Sequence, residues 1–317
     1  MNDQLYMAPL LAFTDCTFRE VYFRHFTGID GALAPFIVVS ENSRYRKKAV
    51  RNLLPILHDS IPIEPQVLSR DPYAFAALAV LLEDIGFSSV NINMGCPARA
   101  VVNKGRGSGL LPYPDIIREF LNISLPKIKI PVSVKLRTGL HSHDEIFPLI
   151  DVFNDFSLSQ IIIHPRLGIN KYEGPVNLDI MDDIVDRFKA PLVYNGDISR
   201  DSFDGLKTRF PSINRWMIGR ELIKDPFLPG DIKSGVLSER TSVYGERKGK
   251  LRIFHDDLLK AFSQIIGNEV ALVGKMKSYW NYLGSLFPDE KDELEKMKKI
   301  LKLDDYRKCV DILLGNH

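Results

Sequence analysis

The sequence predicts an α/β protein with two parts, a (β/α)8 (TIM) barrel and a small C-terminal all-helical domain, and three observations support this prediction. Short apolar segments rich in β-branched residues alternate with helix-like segments over about the first 220 residues. Eight such segments occur, and eight strands close a parallel barrel. Beyond about residue 240 the apolar residues recur only at helical spacing, which indicates a change of architecture.

The eight predicted strands are short and combine apolar with β-branched residues. In chain order they are Leu5–Pro9, Ala32–Val38, Glu64–Leu68, Ser89–Asn93, Val132–Leu136, Gln160–His164, Leu192–Asn195 and Trp216–Gly219. An open doubly wound sheet is the alternative, but no G-x-G-x-x-G follows the first strand. Gly105, Gly107 and Gly109 have the wrong spacing for that motif and follow the fourth strand. The barrel is therefore favoured.

Helix-like segments lie between most of these strands. They are Phe18–Phe26, Tyr73–Ile85, Asp115–Ile123, Glu145–Phe156, Leu178–Phe188 and Ser202–Phe210. Asp71 and Pro72 before the second helix, with Gly86 after it, are typical of helix ends. We assign residues 1–237 to the barrel and 240–317 to the helical domain, with Gly230–Gly249 as the linker.

The composition bounds the class of protein. The chain has 317 residues, of which 45% are hydrophobic and 26% charged, which is ordinary for a globular protein. Cys16, Cys96 and Cys309 are too far apart for a disulfide framework or a C-x-x-C zinc site. His141-Ser142-His143 is better interpreted as a loop than as half a metal site. No apolar run approaches the roughly 20 residues of a membrane span, and no signal-peptide pattern opens the chain. We therefore expect a cytoplasmic protein without membrane or metal.

The segment most suggestive of chemistry follows the fourth predicted strand. Asn93-Met94-Gly95-Cys96-Pro97 places one thiol at a strand end, and a basic, glycine-rich loop with Arg99, Lys104 and Arg106 comes next. From spacing alone, Cys96 fits a nucleophile, a ligand or a buried structural cysteine equally well. Cys16 and Cys309 lie in helix-like segments and are interpreted as packing residues.

Nearly all the remaining predicted strands also end in polar residues or glycines, and the active sites of barrels form at these ends. The set comprises Pro9, Gln66, Lys135, Arg137, His164, Arg166, Asn195, Gly196, Asp197, Gly219 and Arg220. The last two strands of such barrels often bind phosphate, and here their ends offer glycines and one arginine. Lys135 is suited either to a buried carboxylate or to an electron-rich ring such as a reduced flavin.

These residues resemble the tRNA-dihydrouridine synthases, flavoenzymes that reduce selected uridines in tRNA. The resemblance spans most of the chain. It rests on Met7-Ala8-Pro9, Asn93–Pro97 with Gly105 and Gly107, Val134–Arg137, His164, Asn195–Ile198 and Met217–Arg220. It implies FMN as prosthetic group, NADPH or NADH as reductant, tRNA as substrate, and Cys96 as the acid that protonates carbon 5 of uracil.

The resemblance also assigns residues to roles. Those implied to bind the cofactor are Pro9, Leu10, Leu11, Gln66, Lys135, His164, Asn195, Gly196, Asp197, Gly219 and Arg220. Those implied to bind the substrate are Asn93, Arg99, Lys104, Arg106, Arg137 and Arg166. Further candidates for RNA contact are the basic run Arg44–Arg51 and the lysines Lys275 and Lys277, whereas Tyr279 and Trp280 are interpreted as core. We expect a monomer.

Two departures from the family pattern are expected to alter the site. His164-Pro165-Arg166-Leu167 stands where the family usually has His-Gly-Arg-Thr, and proline removes a backbone donor. Leu10-Leu11-Ala12-Phe13 stands where a glycine-containing turn is commoner. Two other functions stay open: a flavin barrel acting on a small pyrimidine such as dihydroorotate, and an RNA-binding barrel without catalysis.

Overall fold

The computed structural model describes residues 3–39, 61–237 and 245–315, and the predicted basic run Arg44–Arg51 lies outside them. Its strands are all parallel. They are β1 (Gln4–Met7), β2 (Gly31–Leu33), β3 (Ile37–Val38), β4 (Ile63–Glu64), β5 (Gln66–Leu68), β6 (Val90–Met94), β7 (Val132–Gly139), β8 (Ile161–Leu167), β9 (Leu192–Tyr194) and β10 (Arg215–Ile218).

The strand order shows how the barrel closes. The order is β3-β5-β6-β7-β8-β9-β10-β1-β2-β4. β2 and β3 are successive segments of one strand, and so are β4 and β5, which Pro65 alone separates. Because β3 and β4 stand at opposite ends of the order, these connections close the sheet into a barrel. The ten segments are thus eight strands, two of them interrupted, and the predicted barrel is confirmed.

Prolines interrupt two of the predicted strands but not a third. The predicted strands Ala32–Val38 and Glu64–Leu68 are broken around Pro35 and Pro65, because proline has no N–H for the ladder. Strand β8 nevertheless runs through Pro165 to Leu167. The register of its neighbour β7 shifts between Arg137 and Gly139, next to that proline, so the regular ladder is already interrupted there.

The α-helices of the described residues follow the predicted alternation, with small shifts at their ends. They are α1 (Cys16–His25), α2 (Pro72–Asp84), α3 (Arg99–Val102), α4 (Pro114–Ser124), α5 (Ile146–Asn154), α6 (Leu178–Ile184), α7 (Phe203–Arg209), α8 (Arg220–Lys224), α9 (Leu228–Ser234), α10 (Glu246–Ser263), α11 (Glu269–Leu283), α12 (Lys291–Lys299) and α13 (Leu303–Leu314). Within these residues, no helix combines the length and apolar character needed to cross a bilayer.

Contacts divide the described chain into two compact units. The barrel unit holds residues 3–11, 29–39 and 61–219, and the helical unit holds residues 12–28 and 220–315 apart from the gap at 238–244. Helix α1 therefore packs with the C-terminal helices, although it lies between the first two strands in sequence. The domain bounds 1–237 and 240–317 stay a prediction, since contacts alone do not show which segments fold independently.

An aromatic cluster forms the core of the helical unit. Phe18 of α1 stacks on Tyr279, and Phe254 of α10 meets Phe18 edge to face. Tyr279 and Trp280 are both buried, so their assignment to the core is confirmed. Cys309 is buried there as well.

The inside of the barrel is divided by chemistry. Ala8, Leu33, Ile162, Val193 and Met217 form a buried cluster that we call the apolar half. Glu64, Gln66, Asn91, Asn93, Ser133 and Lys135 form what we call the polar half. Register pairs place Asn93, Lys135, Ile162 and Val193 in a row on adjacent strands, so both halves belong to one inner face. The candidate site lies where the polar half reaches the carboxyl ends of the strands.

Candidate active site

The segment after β6 is held by one side chain. The Asn93 amide oxygen accepts hydrogen bonds from the backbone N–H of Gly95 (3.1 Å) and of Cys96 (2.9 Å). This is the local turn that asparagine forms most readily, and it places Cys96 immediately beyond the strand end. The Asn93 amide nitrogen donates to Gln66 Oε1 at 2.7 Å, so Asn93 and Gln66 act as one unit. Two residues predicted separately for substrate and cofactor therefore lie together.

The Cys96 thiol is half-buried and stays protonated at neutral pH. Burial raises its pKa above the ordinary value, and a hydrogen bond from the Ala98 backbone with the charges of Arg137 and Lys135 only partly offsets this. A thiol with a raised pKa is a poor nucleophile and a competent proton donor. These surroundings suit a nucleophile poorly, and the acid role that the resemblance implies for Cys96 stays a prediction.

The glycines of the basic loop allow that loop to pack on the cysteine. A Cβ on Gly107, which has a φ of +57°, would lie 2.6 Å from the Cys96 carbonyl oxygen. That oxygen also accepts hydrogen bonds from the Ser108 backbone N–H and hydroxyl, both at 3.1 Å. A Cβ on Gly109 would lie 2.8 Å from the Val102 carbonyl oxygen. The glycines thus serve close packing of backbone on backbone rather than a dinucleotide fingerprint.

Lys135 is the cation of the polar half. Its ammonium donates to Asn195 Oδ1 at 2.6 Å, and Asn195 Nδ2 in turn donates to the Met217 carbonyl at 2.7 Å. Burial, followed by the charge of Arg137, lowers the pKa of Lys135 to about 7. Among the described residues no carboxylate pairs with it. The alternative of a lysine bound to an inward carboxylate is therefore not observed.

Two of the four arginines predicted to bind substrate, Arg137 and Arg166, are buried and bonded within the barrel unit. Arg137 is 2% exposed and donates to the carbonyls of Gly95 (3.0 Å) and Leu167 (2.8 Å). Arg166 is 3% exposed and contacts the Gly174 carbonyl. These bonds tie the cysteine segment and the end of β8 to neighbouring loops. RNA contact by either arginine stays a prediction, and the geometry favours a positioning role.

Arg166 also organises the end of β8. Its Nη1 lies 2.8 Å from His164 Nε2, and its Nη2 donates to Asp197 Oδ2 at 2.5 Å. Asp197 has a positive φ of 45°, in the turn that follows β9. At Gly196 a Cβ would lie 2.7 Å from Val176 Cγ1 and 3.2 Å from His164 Cδ2. His164, Asn195, Gly196 and Asp197 are thus brought together, as predicted for a common site.

The remaining predicted cofactor residues lie at the ends of the first and last strands. Pro9, Leu10 and Leu11 follow β1, and the Leu11 side chain is 65% exposed. Gly219 follows β10, and of the atoms that the structure describes a Cβ there would come within 4 Å of Ala8 Cβ alone, at 3.7 Å, so these residues leave space beside it. Arg220 opens α8, in the helical unit.

The basic loop presents an exposed cationic edge. Arg99 and Lys104 are exposed and Arg106 is half-buried. Arg70, which the sequence reading did not select, belongs to the same edge, since its Nη1 lies 3.1 Å from the position of a Cβ on Gly105. Its signal was its place two residues after β5.

The lysines proposed for RNA contact in the helical unit are used structurally. Lys275 donates to the Ala12 carbonyl (2.8 Å) and to Asp15 (3.0 Å), and it lies over the Phe262 ring. Lys277 donates to the carbonyls of Lys298 (3.0 Å) and Ile300 (2.5 Å) at the end of α12. No cluster of potential metal ligands occurs within residues 3–39, 61–237 and 245–315.

Comparison with known proteins identifies the family. Residues 6–309 match the sequence model of a family described as dihydrouridine synthase (Dus). The chain is 26% identical over 230 residues to tRNA-dihydrouridine synthase B of Pasteurella multocida, covering 72% of this chain and 68% of the relative. It is 27% identical over 239 residues to the protein of the same name from Escherichia coli, covering 74% and 72%.

A solved structure of morphinone reductase is also similar. It covers 74% of this chain and 87% of its own, with a TM-score of 0.49 and 11% identity, and so distant a likeness says nothing of the reaction. The family assignment rests instead on the sequence match, which spans nearly the whole chain and includes the Cys96 loop. This chain belongs to the dihydrouridine synthase family of flavin-dependent oxidoreductases.

Proposed function

We propose that this protein is a tRNA-dihydrouridine synthase that carries FMN, takes electrons from NADPH or NADH, and uses Cys96 as the acid. The observation that supports this most directly is a protonated thiol just after β6 together with, on the adjacent strand β7, a lysine for which the described residues supply no carboxylate. The proposal places the enzyme in the cytoplasm, where it would meet its tRNA substrate.

The polar half fits the proposed cofactor. Lys135 retains donors beyond its bond to Asn195, and a lysine whose pKa is about 7 gains a full charge when an anionic ring binds beside it. Open space beside Gly219 suits a phosphate, because a glycine there lets backbone N–H groups approach an oxyanion. Gln66, at the start of β5, and Asn93, near the end of β6, offer amides that are fixed by their mutual hydrogen bond.

When bound, FMN supplies the hydride that saturates carbon 6 of the uracil. Cys96 then holds the proton that carbon 5 requires, at a sulfur kept neutral by burial. Asn93 orients that sulfur through the Cys96 N–H, and Arg137 fixes the Gly95 carbonyl beside it. Lys135 would stabilise negative charge that develops nearby. The protein thus contributes positioning, a proton and a cation.

The cationic edge is proposed to receive the RNA. A uridine in folded tRNA must be unstacked to reach the barrel mouth, which costs about a few kcal/mol. Contacts from Arg99, Lys104 and Arg106 to phosphates would offset that cost. These side chains flank the Cys96 loop, so the RNA would arrive next to the acid.

The proposal is tested with the purified protein and unmodified tRNA transcripts. We expect a yellow protein that forms dihydrouridine when a reduced nicotinamide is added, measured by mass spectrometry of the digested RNA. Oxidation of free dihydroorotate, with no reaction on tRNA, would instead establish a small-pyrimidine enzyme. A colourless protein that binds tRNA without reaction would establish an RNA-binding barrel. Either result would overturn the proposal.

A further inference from the structure

A chain of hydrogen bonds runs through the polar half of the barrel, and all its links beyond the part-buried first one are buried in the barrel unit. It begins at the backbone N–H of Cys96 and passes through Asn93 to Gln66 Oε1. Gln66 Nε2 donates to Asn91 Oδ1 at 2.7 Å. Asn91 Nδ2 donates to Ser133 Oγ at 2.6 Å, and Ser133 Oγ donates to Glu64 Oε1 at 2.8 Å.

The direction of this chain follows from its chemistry. A backbone N–H can only donate, so Asn93 must turn its oxygen toward Gly95 and Cys96 and its NH2 group toward Gln66. The same constraint passes on to Gln66 and then to Asn91, whose NH2 group meets the Ser133 hydroxyl. Each group therefore donates to the next one away from the cysteine. The last group must accept a hydrogen bond from Ser133 without having to donate one.

A carboxylate meets that requirement. An ionised Glu64 accepts on both oxygens, from Ser133 and, at 3.5 Å, from Gln160 Nε2. A protonated Glu64 keeps one accepting oxygen, but its O–H then faces Ser133 or Gln160, both of which donate to it, so the end of the chain is weakened. Reversing the chain would turn the Asn93 NH2 group against two backbone N–H groups.

We propose that Glu64 is a positioning residue, which stabilises from the far end the amide orientation that the Gly95 and Cys96 N–H groups favour in Asn93 and Gln66, through a directed chain of hydrogen bonds. The hydrogen bonds of its side chain go to Ser133 and Gln160 rather than to the Cys96 segment. Its effect is to stabilise one of two amide orientations at each link, so that the cofactor and uracil meet fixed donors and acceptors. The inference deepens the proposed function, and it rests on that function only where FMN affinity is measured.

The surroundings of Glu64 give the chain a pH dependence. Burial raises the pKa of Glu64 to about 7, although hydrogen bonds with Ser133, Gln160 and Ser89 partly offset this. The Tyr6 phenol also interacts with Glu64, and its pKa is raised further above neutrality, chiefly by burial. Arg215 Nη1 donates to Gln160 Oε1 at 3.4 Å, and the Asp30 charge acts on the Tyr6 phenol. Glu64 therefore titrates near neutral pH.

The test uses Glu64→Gln, which keeps the shape of the side chain but makes it neutral and able to donate. The first measurement is hydrogen exchange of residues 93–97 in protein without flavin, corrected for intrinsic rates at each pH. At pH 8 we expect about tenfold faster exchange in the variant, because the change removes roughly the contribution of one hydrogen bond. The unmodified protein should reach a similar rate when the pH falls from 8 to 6, and the variant should not change.

Matched serines provide the second variant and its control. Ser133→Ala breaks the chain while leaving Glu64 in place, and Ser124→Ala removes an equally buried hydroxyl that bonds only Phe120 within α4. We expect faster exchange at residues 93–97 in Ser133→Ala and an unchanged exchange rate in Ser124→Ala. Ser133→Ala carries the test if Glu64→Gln does not fold.

Affinity for FMN, measured by fluorescence quenching, supplies the cofactor readout. We expect it to weaken several-fold in Glu64→Gln at pH 8 and to lose its dependence on pH between 6 and 8. Unchanged exchange and unchanged FMN affinity in the folded variants would overturn the inference. If the unmodified protein bound no FMN, the proposed function would fail, whereas the exchange measurement would still decide the role of Glu64.

Discussion

The apolar and polar halves of the barrel interior belong to one inner face but to different strands, and they have different roles. The apolar half, with Met217 and Ile162, is closed packing in which any missing volume lowers stability. The polar half bonds amides, a hydroxyl and a carboxylate in fixed order, and beside this chain the Lys135 ammonium bonds Asn195. Buried polar groups cost free energy unless they are paired. The comparison shows where this fold gives up packing for orientation.

The largest effect is expected at the mouth of the polar half. Cys96→Ala should lower dihydrouridine formation by about 10²- to 10⁴-fold, because a positioned proton donor contributes on that scale. The protein should stay folded and yellow, since the segment is held by Asn93 and Arg137 rather than by the thiol. The rate is measured in single turnover with prereduced enzyme and excess tRNA.

Cys16→Ala is the matched control, because this thiol opens α1 in the helical unit and is also half-buried. Its rate should equal that of the unmodified protein. Substantial activity in Cys96→Ala would mean that another group delivers the proton and that the raised pKa of Cys96 has no catalytic use.

The next effect belongs to the apolar half. Met217→Ala should lower the free energy of unfolding by about 2–5 kcal/mol, through lost burial and the cavity left behind. Urea denaturation measures it, with Ile169→Ala, an exposed side chain of the same unit, as the control within about 0.5 kcal/mol. The rate per folded molecule should be retained. A variant that kept its stability but lost its rate would remove the distinction between the halves.

Much of this distinction was visible in the sequence. The alternation of polar residues at Asn91 and Asn93, and at Ser133, Lys135 and Arg137, marks one inner face of two strands. The barrel, its eight strands and the cysteine loop followed from pattern and resemblance. The connection from Glu64 through Ser133 to Asn93 did not, because it joins residues of three strands whose register no local pattern reports.

The same limit explains Arg137, Arg166 and Lys275. Each was placed at a predicted strand end or basic segment, where a cation often meets an anionic ligand. In the structure Arg137 and Arg166 bond backbone carbonyls inside the barrel unit, and Lys275 bonds Asp15 in the helical unit. Residue type predicts charge, whereas only packing shows whether that charge reaches solvent.

Lys135→Met would extend the apolar half into the polar half. The folded-state pKa of Lys135, about 7, lies below its ordinary value near 10.4, so between these values the unfolded chain binds the extra proton. Stability of the unmodified protein should therefore rise with pH from about 7 to about 10. The variant should be more stable at pH 6, by about 2 kcal/mol, with a difference that shrinks toward pH 10.

Urea unfolding at pH 6, 8 and 10 measures this effect, and Lys129→Met, an exposed lysine of the same unit, should show no such trend. FMN affinity should fall in Lys135→Met while stability rises, which separates function from folding at one residue. Parallel stability curves for the two proteins would show that Lys135 is charged and solvated in the folded state.

The smallest effect is expected at the cationic edge, where the polar half opens to solvent. Lys104 is exposed beside the Cys96 loop, whereas Lys129 is exposed before β7, at the amino ends of the strands. If Lys104 meets a phosphate, Lys104→Ala should weaken tRNA binding a few-fold and reduce the slope of log affinity against log salt by about 1. Lys129→Ala should change neither, because active sites of barrels lie at the carboxyl ends. Filter binding of unmodified tRNA between about 50 and 200 mM salt measures both slopes. Equal slopes for the two variants would mean that the RNA does not approach over this loop, and the polar half would then need another route to its substrate.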